Sequence, residues 1–208
     1  RLDYRRRAFI HEALEPRALC TSGVHLRFVT AAGCFRLALA VERPMAKDNT
    51  APAKFDLLVD GKFVATYELD PASAGILTVD GLPAGEKLVD LFFPTDFSVT
   101  IRSMEVADAA PVSPAPSRSR WITHGSSITH CRAAGSPAYT WPAIVARERG
   151  WDGWNMGFGG QCKFDQIVAR TIAAMPADRI SLCLGINTVT CSHAYALRTW
   201  VPAVEGFI

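Results

Sequence analysis

Arg120-Trp121-Ile122-Thr123-His124-Gly125-Ser126-Ser127-Ile128-Thr129 is the stretch that sets the fold class. Trp121 and Ile122 lean apolar, and from Gly125 onward small residues take over. That change predicts a strand running into a turn that presents a serine hydroxyl to incoming substrate. Asn155-Met156-Gly157-Phe158-Gly159-Gly160 and Gly185-Ile186-Asn187-Thr188 are predicted to fall at similar strand ends. Between them, Thr140 is placed to cap a helix carrying Trp141, Ile144 and Val145. Phe164, Ile167, Val168, Ile172 and Met175 recur at helical spacing until Pro176. Arg179–Gly185 reads as an apolar strand of the buried parallel kind. Leu197, Trp200, Val201, Val204 and Ile208 read as an amphipathic helix that Pro202 either breaks or opens.

Strand alternating with helix predicts a parallel α/β layer, in which sites gather at the carboxyl ends of strands. Three strands make a thin sheet for such a domain. The α/β half is therefore expected to be incomplete, and both Arg1 and Ile208 are expected to be cut ends.

Upstream the rhythm differs. His25–Thr30, Cys34–Val41, Phe55–Val59, Phe63–Leu69, Ile76–Val79, Leu88–Phe93 and Phe97–Val106 are short runs with strand character, separated by Gly and Pro. Asp60-Gly61 joins two of them with the positive-φ residues of a tight hairpin. The expected architecture is an antiparallel β-sandwich over residues 1–108. A Pro-rich spacer at 109–118, disfavouring both helix and sheet, and an α/β domain over 119–208 follow it.

Composition narrows the function classes. The 22 Lys and Arg nearly balance 20 Asp and Glu, so no broad basic field invites nucleic acid, and Arg5-Arg6-Arg7 reads as a solvated face. No stretch approaches the roughly 18 apolar residues of a membrane span. The N-terminus lacks the apolar core of a signal peptide. A soluble, cytoplasmic protein is the default expectation. The six cysteines form neither CxxC nor a zinc-like spacing and are expected to be mostly buried thiols.

For chemistry, Ser127 is the candidate nucleophile. A serine hydroxyl needs a base, and the oxyanion formed by its attack needs preplaced donors. The Ser127 backbone N–H, the Gly160 N–H and the Asn187 side-chain amide are the candidate donors. Gly160 is chosen because a residue without Cβ allows close approach of the main chain. His124 and His130 stand too near Ser127 in sequence to turn a ring onto its Oγ. His193 is a weak candidate for the site, while His11 and His25 read as structural. Gly157-Phe158-Gly159-Gly160 is not a dinucleotide fingerprint, since Cys162 stands where GxGxxG needs glycine. Cys131 and Cys191 lack the setting of a thiolate nucleophile.

The three blocks together resemble the SGNH or GDSL family of esterases and acyltransferases, and more narrowly its two-domain subgroup with a β-rich front half. Gly125-Ser126-Ser127-Ile128-Thr129 stands for the family's Gly-Asp-Ser block, Gly160 for its glycine and Asn187 for its asparagine. The resemblance implies a jelly-roll-like sandwich followed by an incomplete flavodoxin-like three-layer α/β/α domain. It also implies serine-dependent acyl hydrolysis or transfer on a small-molecule acyl ester, with water or a sugar or natural-product hydroxyl as acceptor. No metal or organic cofactor is implied, and neither nucleic acid nor membrane is an expected partner. Ser126 replaces the family's aspartate, and Thr188 follows Asn187 where many members have another. The family's Asp-x-x-His block, source of the base, is absent from these 208 residues, so the chain alone is expected to be nearly inert. The alternative is a non-catalytic carbohydrate-binding or interaction protein with a remnant α/β part.

Overall fold

Residues 1–45, 51–71, 74–190 and 195–208 are described by the structure, a computed structural model. All seven upstream strands form. They are β1 (His25–Thr30), β2 (Phe35–Glu42), β3 (Ala53–Val59), β4 (Lys62–Leu69), β5 (Ala74–Val79), β6 (Lys87–Phe92) and β7 (Ser98–Val106). A short β8 (Val112–Pro114) joins them, giving one sheet of order β4-β3-β6-β1-β8 and another of order β5-β2-β7, each antiparallel throughout. Along β2, Phe35, Leu37, Leu39 and Val41 point inward while Arg36 and Glu42 face solvent. These four meet Phe55, Leu57 and Val59 of β3 and Val89 and Leu91 of β6 in one core between the sheets. Asp60 (φ 50°) and Gly61 (φ 77°) both take the left-handed backbone at the β3–β4 hairpin, as the Asp-Gly pair predicted.

β8 lies inside the segment expected to refuse sheet. Its residues pair with Phe28, Val29 and Thr30 at the outer edge of the sheet, where a proline's missing N–H forfeits no ladder bond.

The second half contains β9 (Arg120–Gly125), β10 (Asp152–Gly157) and β11 (Arg179–Cys183), all parallel in the order β10-β9-β11. Helix α3 (Trp141–Arg149) covers the face bearing Trp121 and Gly153, where Trp121 meets the Trp141 and Trp151 rings edge-on. Thr140 precedes α3 but its hydroxyl donates to the Pro137 carbonyl instead of capping the helix. Helices α4 (Gln166–Ala174) and α6 (Leu197–Phe207) cover the opposite face with Ile122 and Met156. Pro202 neither breaks nor opens α6, which runs through it. Trp200, Ala203, Val204 and Phe207 anchor the helix on either side of the lost hydrogen bond.

β11 departs from expectation in burial. It is parallel and lies at one edge of the three-stranded sheet, yet all five of its residues are exposed, whereas β10 at the other edge ends in three buried residues. The N-terminal segment departs in another way. Helix α1 (Glu15–Leu19) and the residue before it place Ala18 and Leu14 in the α/β core with Ile122, Phe158 and Ile167. Residues 1–20 thus pack against the second half of the chain.

The two halves meet along the outer face of the five-stranded sheet. β3 and β6 are consequently buried on both faces, with Leu58 and Phe92 against Ala138 and Ala143. Asp56, fully buried, accepts from Thr66 Oγ1 (2.7 Å), the Ala138 N–H (3.0 Å) and Ser136 Oγ. Removing the carboxylate strands three donors at a buried interface, so Asp56→Ala is expected to lower unfolding free energy by about 3 kcal/mol. Urea denaturation with an unchanged m-value checks this, and a loss below about 1 kcal/mol would contradict it.

Candidate active site

Parallel pairing puts Gly125 opposite both Gly157 and Cys183, so β9, β10 and β11 end at one level. The loops that leave them therefore emerge side by side. After β9, Ser126 caps the short α2 (Ser127–His130), its Oγ accepting the Ile128 N–H at 3.4 Å, and Ser127 begins the helix with its side chain exposed. The turn is possible only because two glycines make room. A Cβ on Gly125 would lie 2.3 Å from Thr129 Oγ1, and one on Gly157 would lie 2.3 Å from the His130 backbone nitrogen. The second contact is with main chain and cannot be relieved by a rotamer change.

Residues 158–162 bind the site together. The Phe158 N–H donates to the Gly125 carbonyl at 2.8 Å and the Gln161 N–H to the Phe158 carbonyl at 2.9 Å, which closes a β-turn over Gly159 and Gly160. A Cβ built on Gly159 would sit 3.6 Å from Ser127 Cβ. It is Gly159 that lies against the serine, and a Cβ on Gly160 would meet nothing within 4 Å. Gly160 is required for another reason, its φ of 72° at the third position of the turn. Two residues later the Cys162 N–H donates to Asn187 Oδ1 at 3.1 Å. Asn187 is buried in the first turn of α5 (Ile186–Thr190), and that bond fixes which side of its amide carries Nδ2. One loop thus touches both Ser127 and Asn187.

The histidines nearest Ser127 are committed elsewhere. His124 is buried, with Nδ1 2.7 Å from the Met156 carbonyl and its ring stacked on Phe207 at 5.3 Å. Burial lowers its pKa. His130 is fully buried, Nε2 donating to the Thr95 carbonyl (3.1 Å) and Nδ1 accepting the Gly159 N–H (3.1 Å). Burial, reinforced by the charges of Arg1, Arg132 and Arg17, pushes its pKa down to about 3. Neither ring is a base for Ser127. His25 stacks on Phe92 at 4.8 Å and His11 Nδ1 accepts the Ala13 N–H, both local roles. His193 and Cys191 lie outside the described residues.

The thiols follow the same logic unevenly. Cys20 and Cys162 are buried, and desolvation raises their pKa to about 11 and about 12. Cys131 is partly buried and its pKa is raised too, while Cys183 is exposed.

Gly159, His130 and Arg17 were not legible as members of this site. Arg17 Nε donates to the Gly159 carbonyl at 3.2 Å from 142 positions away, and no local pattern announces such a contact. A separate cavity of about 710 Å³ opens between β1, residues 114–118 and β10, and Ser127, Gly160 and Asn187 take no part in its walls. No helix among the described residues is long and apolar enough to cross a membrane.

Two family models match the chain. Residues 118–184 fit the GDSL-like lipase/acylhydrolase family, and residues 2–102 fit the SsfX3 N-terminal domain. The chain carries a GDSL-like acylhydrolase domain behind an SsfX3-type N-terminal domain. Among solved structures it is similar to the salicylyl-acyltransferase SsfX3 from a tetracycline biosynthetic pathway, at 31% identity and a TM-score of 0.90. That match covers 99% of this chain and 59% of the other. A Bacteroides ovatus protein assigned as a GDSL-like lipase shares 20% identity (TM-score 0.78; 100% and 62% covered), which speaks for the fold alone. The same holds for a family two carbohydrate esterase from Clostridium thermocellum solved with cellohexaose (16%, TM-score 0.67; 89% and 66% covered). The chain thus spans about three fifths of the length of the first two structures. A search of curated protein sequences returned no match.

Burial of neutral His130 carries a consequence for acid stability. The unfolded chain takes up this proton near pH 6.5, the folded chain only near 3. Between those values the unfolded state binds one proton more, so stability is complete above pH 6.5 and falls with pH by up to about 1.4 kcal/mol per unit. Asp90, Asp96 and Asp165, whose pKa burial raises, act with the opposite sign, contributing stability at low pH that is lost as pH rises through their folded values. His130→Asn is expected to flatten the slope of unfolding free energy between about pH 6 and pH 4 by about 1 kcal/mol per unit, read from urea titrations at stepped pH.

Proposed function

We propose that this chain supplies the nucleophile and oxyanion-binding part of an acyl hydrolase or acyltransferase. Ser127 Oγ attacks the carbonyl carbon of a small-molecule acyl ester, and the Oγ proton passes to a base. The resulting oxyanion is received by the Ser127 N–H, the Gly160 N–H and the Asn187 amide. Collapse releases the alcohol with that proton and leaves a seryl ester, which water or a sugar or natural-product hydroxyl then opens. The observation that carries the reading is the loop 158–162, which packs on Ser127 and hydrogen-bonds Asn187.

Several features support the assignment of donors. The Gly159 N–H is taken by His130, which leaves Gly160 as the glycine of that turn whose N–H has no acceptor among the described residues. The family match and the likeness to a salicyl-transferring enzyme support acyl transfer as the reaction class. The likeness to carbohydrate esterases extends only to fold, so a sugar acceptor is a proposal without a sequence relative behind it. The SGNH pattern draws its base from an Asp-x-x-His block, which these 208 residues do not contain.

In the full-length gene product, a fluorophosphonate probe is expected to label Ser127 and to fail on Ser127→Ala, with labelled-peptide mass spectrometry as the measurement. Asn187→Ala is expected to lower kcat for a p-nitrophenyl ester by about 10² to 10³. Labelling elsewhere, or an Asn187→Ala effect below about threefold, would defeat the assignment. The 208-residue polypeptide by itself is expected to hydrolyse the same ester no faster than its Ser127→Ala counterpart, and brisk turnover would show that the base lies within it.

A further inference from the structure

We propose that Arg17 and His130 are positioning residues that lock two successive peptides of the Gly159–Gly160 turn and so aim the Gly160 N–H at the oxyanion formed on Ser127. The inference rests on the seryl-ester reading above and assigns it a support that the family signature does not contain.

The argument is geometric. The peptide joining Gly159 to Gly160 carries the Gly159 carbonyl on one side and the Gly160 N–H on the other, because a trans peptide points them in opposite directions. Arg17 Nε holds that carbonyl at 3.2 Å, and Arg17 Nη1 is itself tied to the Ala13 carbonyl at 3.0 Å. A guanidinium on the carbonyl both fixes the plane and draws electron density towards oxygen, which makes the N–H of the same peptide a stronger donor. The preceding peptide is fixed from its other end, since the Gly159 N–H donates to His130 Nδ1 at 3.1 Å. His130 can accept there only while Nε2 carries the proton, and Nε2 donates to the Thr95 carbonyl at 3.1 Å.

Thr95 follows β6 in the sandwich, and Arg17 lies on α1 ahead of it. Both anchors therefore come from the N-terminal half, whereas the groups they aim come from the C-terminal half. The charged groups facing His130 are Arg1, Arg17 and Arg132, all cationic, and Asp96 neutralises Arg132 at 3.1 Å. Each cation disfavours a protonated ring, which would lose the acceptor that Gly159 uses.

Arg17→Met, Arg17→Lys, His130→Ala and His130→Asn in the full-length gene product test the proposal, alongside Ser127→Ala. Arg17→Met is expected to lower kcat for a p-nitrophenyl ester about 10- to 100-fold with KM within about twofold, and Arg17→Lys to recover part of the loss. His130→Asn, which keeps an acceptor near the Nδ1 position, is expected to exceed His130→Ala in kcat. In ¹⁵N-resolved NMR spectra the Gly160 amide proton is expected to move upfield and exchange faster in Arg17→Met. Unchanged Gly160 signals in Arg17→Met overturn the clamp, whatever the kinetics. Changed signals with kcat within about twofold of the parent overturn its positioning role. If His130→Ala does not fold, the two Arg17 variants decide. A fully active Ser127→Ala would instead overturn the seryl-ester reading, and the positioning role with it, while the amide signals still report whether the clamp exists.

Discussion

Three parallel strands ending at one level are the constraint from which the rest of the site follows. Gly125 faces Gly157 on one side and Cys183 on the other, so the serine turn, the 158–162 loop and the Asn187 helix leave the sheet as neighbours. Side chains at the ends of β9 and β10 would collide with α2 where it folds back over them. Gly157 lies where a Cβ would strike the His130 backbone, and Gly125 where one would strike Thr129. These two glycines let α2 fold back over the strand ends, and α2 is what exposes Ser127.

The second constraint is the contact between halves. A sandwich sheet normally has one face for its own core and one for solvent. Here the outer face of β3 and β6 is covered by residues 136–143, with Asp56 bridging to Ser136 and Ala138. The same surface brings Ser22 Oγ to the His130 carbonyl and Thr95 to its ring. Gly23 approaches Asn155 so closely that a Cβ would come within 2.5 Å of Asn155 Cβ. Asn155 in turn donates to Ser22 Oγ and to the Thr129 carbonyl. The sandwich is thus built into the underside of the serine turn, which fits the agreement of this chain with SsfX3 across both halves.

Burial also settles what the charged and nucleophilic groups can do. Buried Cys162 lies 3.5 Å from His124 Nε2, a pairing that elsewhere would suggest a reactive thiol. Desolvation raises the thiol and lowers the imidazole instead, so both stay neutral and act as packing. Ser127 is the contrasting case, an exposed hydroxyl at the end of a buried strand.

The sequence by itself determined the two-part architecture. Alternating residues such as Phe35, Leu37, Leu39 and Val41, the Asp60-Gly61 turn, and the strand–glycine–helix rhythm after Arg120 are local signals whose period survives folding. It also determined the nomination of Ser127, Gly160 and Asn187, because strand ends in a parallel sheet converge. Only the tertiary structure decided that β11 is an exposed edge, that Pro114 joins a sheet, and that residues 1–20 pack with the α/β core. It alone placed Gly159 against the serine and brought Arg17 and Thr95 to the turn. The reason is that such contacts join residues scores of positions apart, and their specificity lies in distance and hydrogen-bond direction, neither of which leaves a periodic trace in the chain.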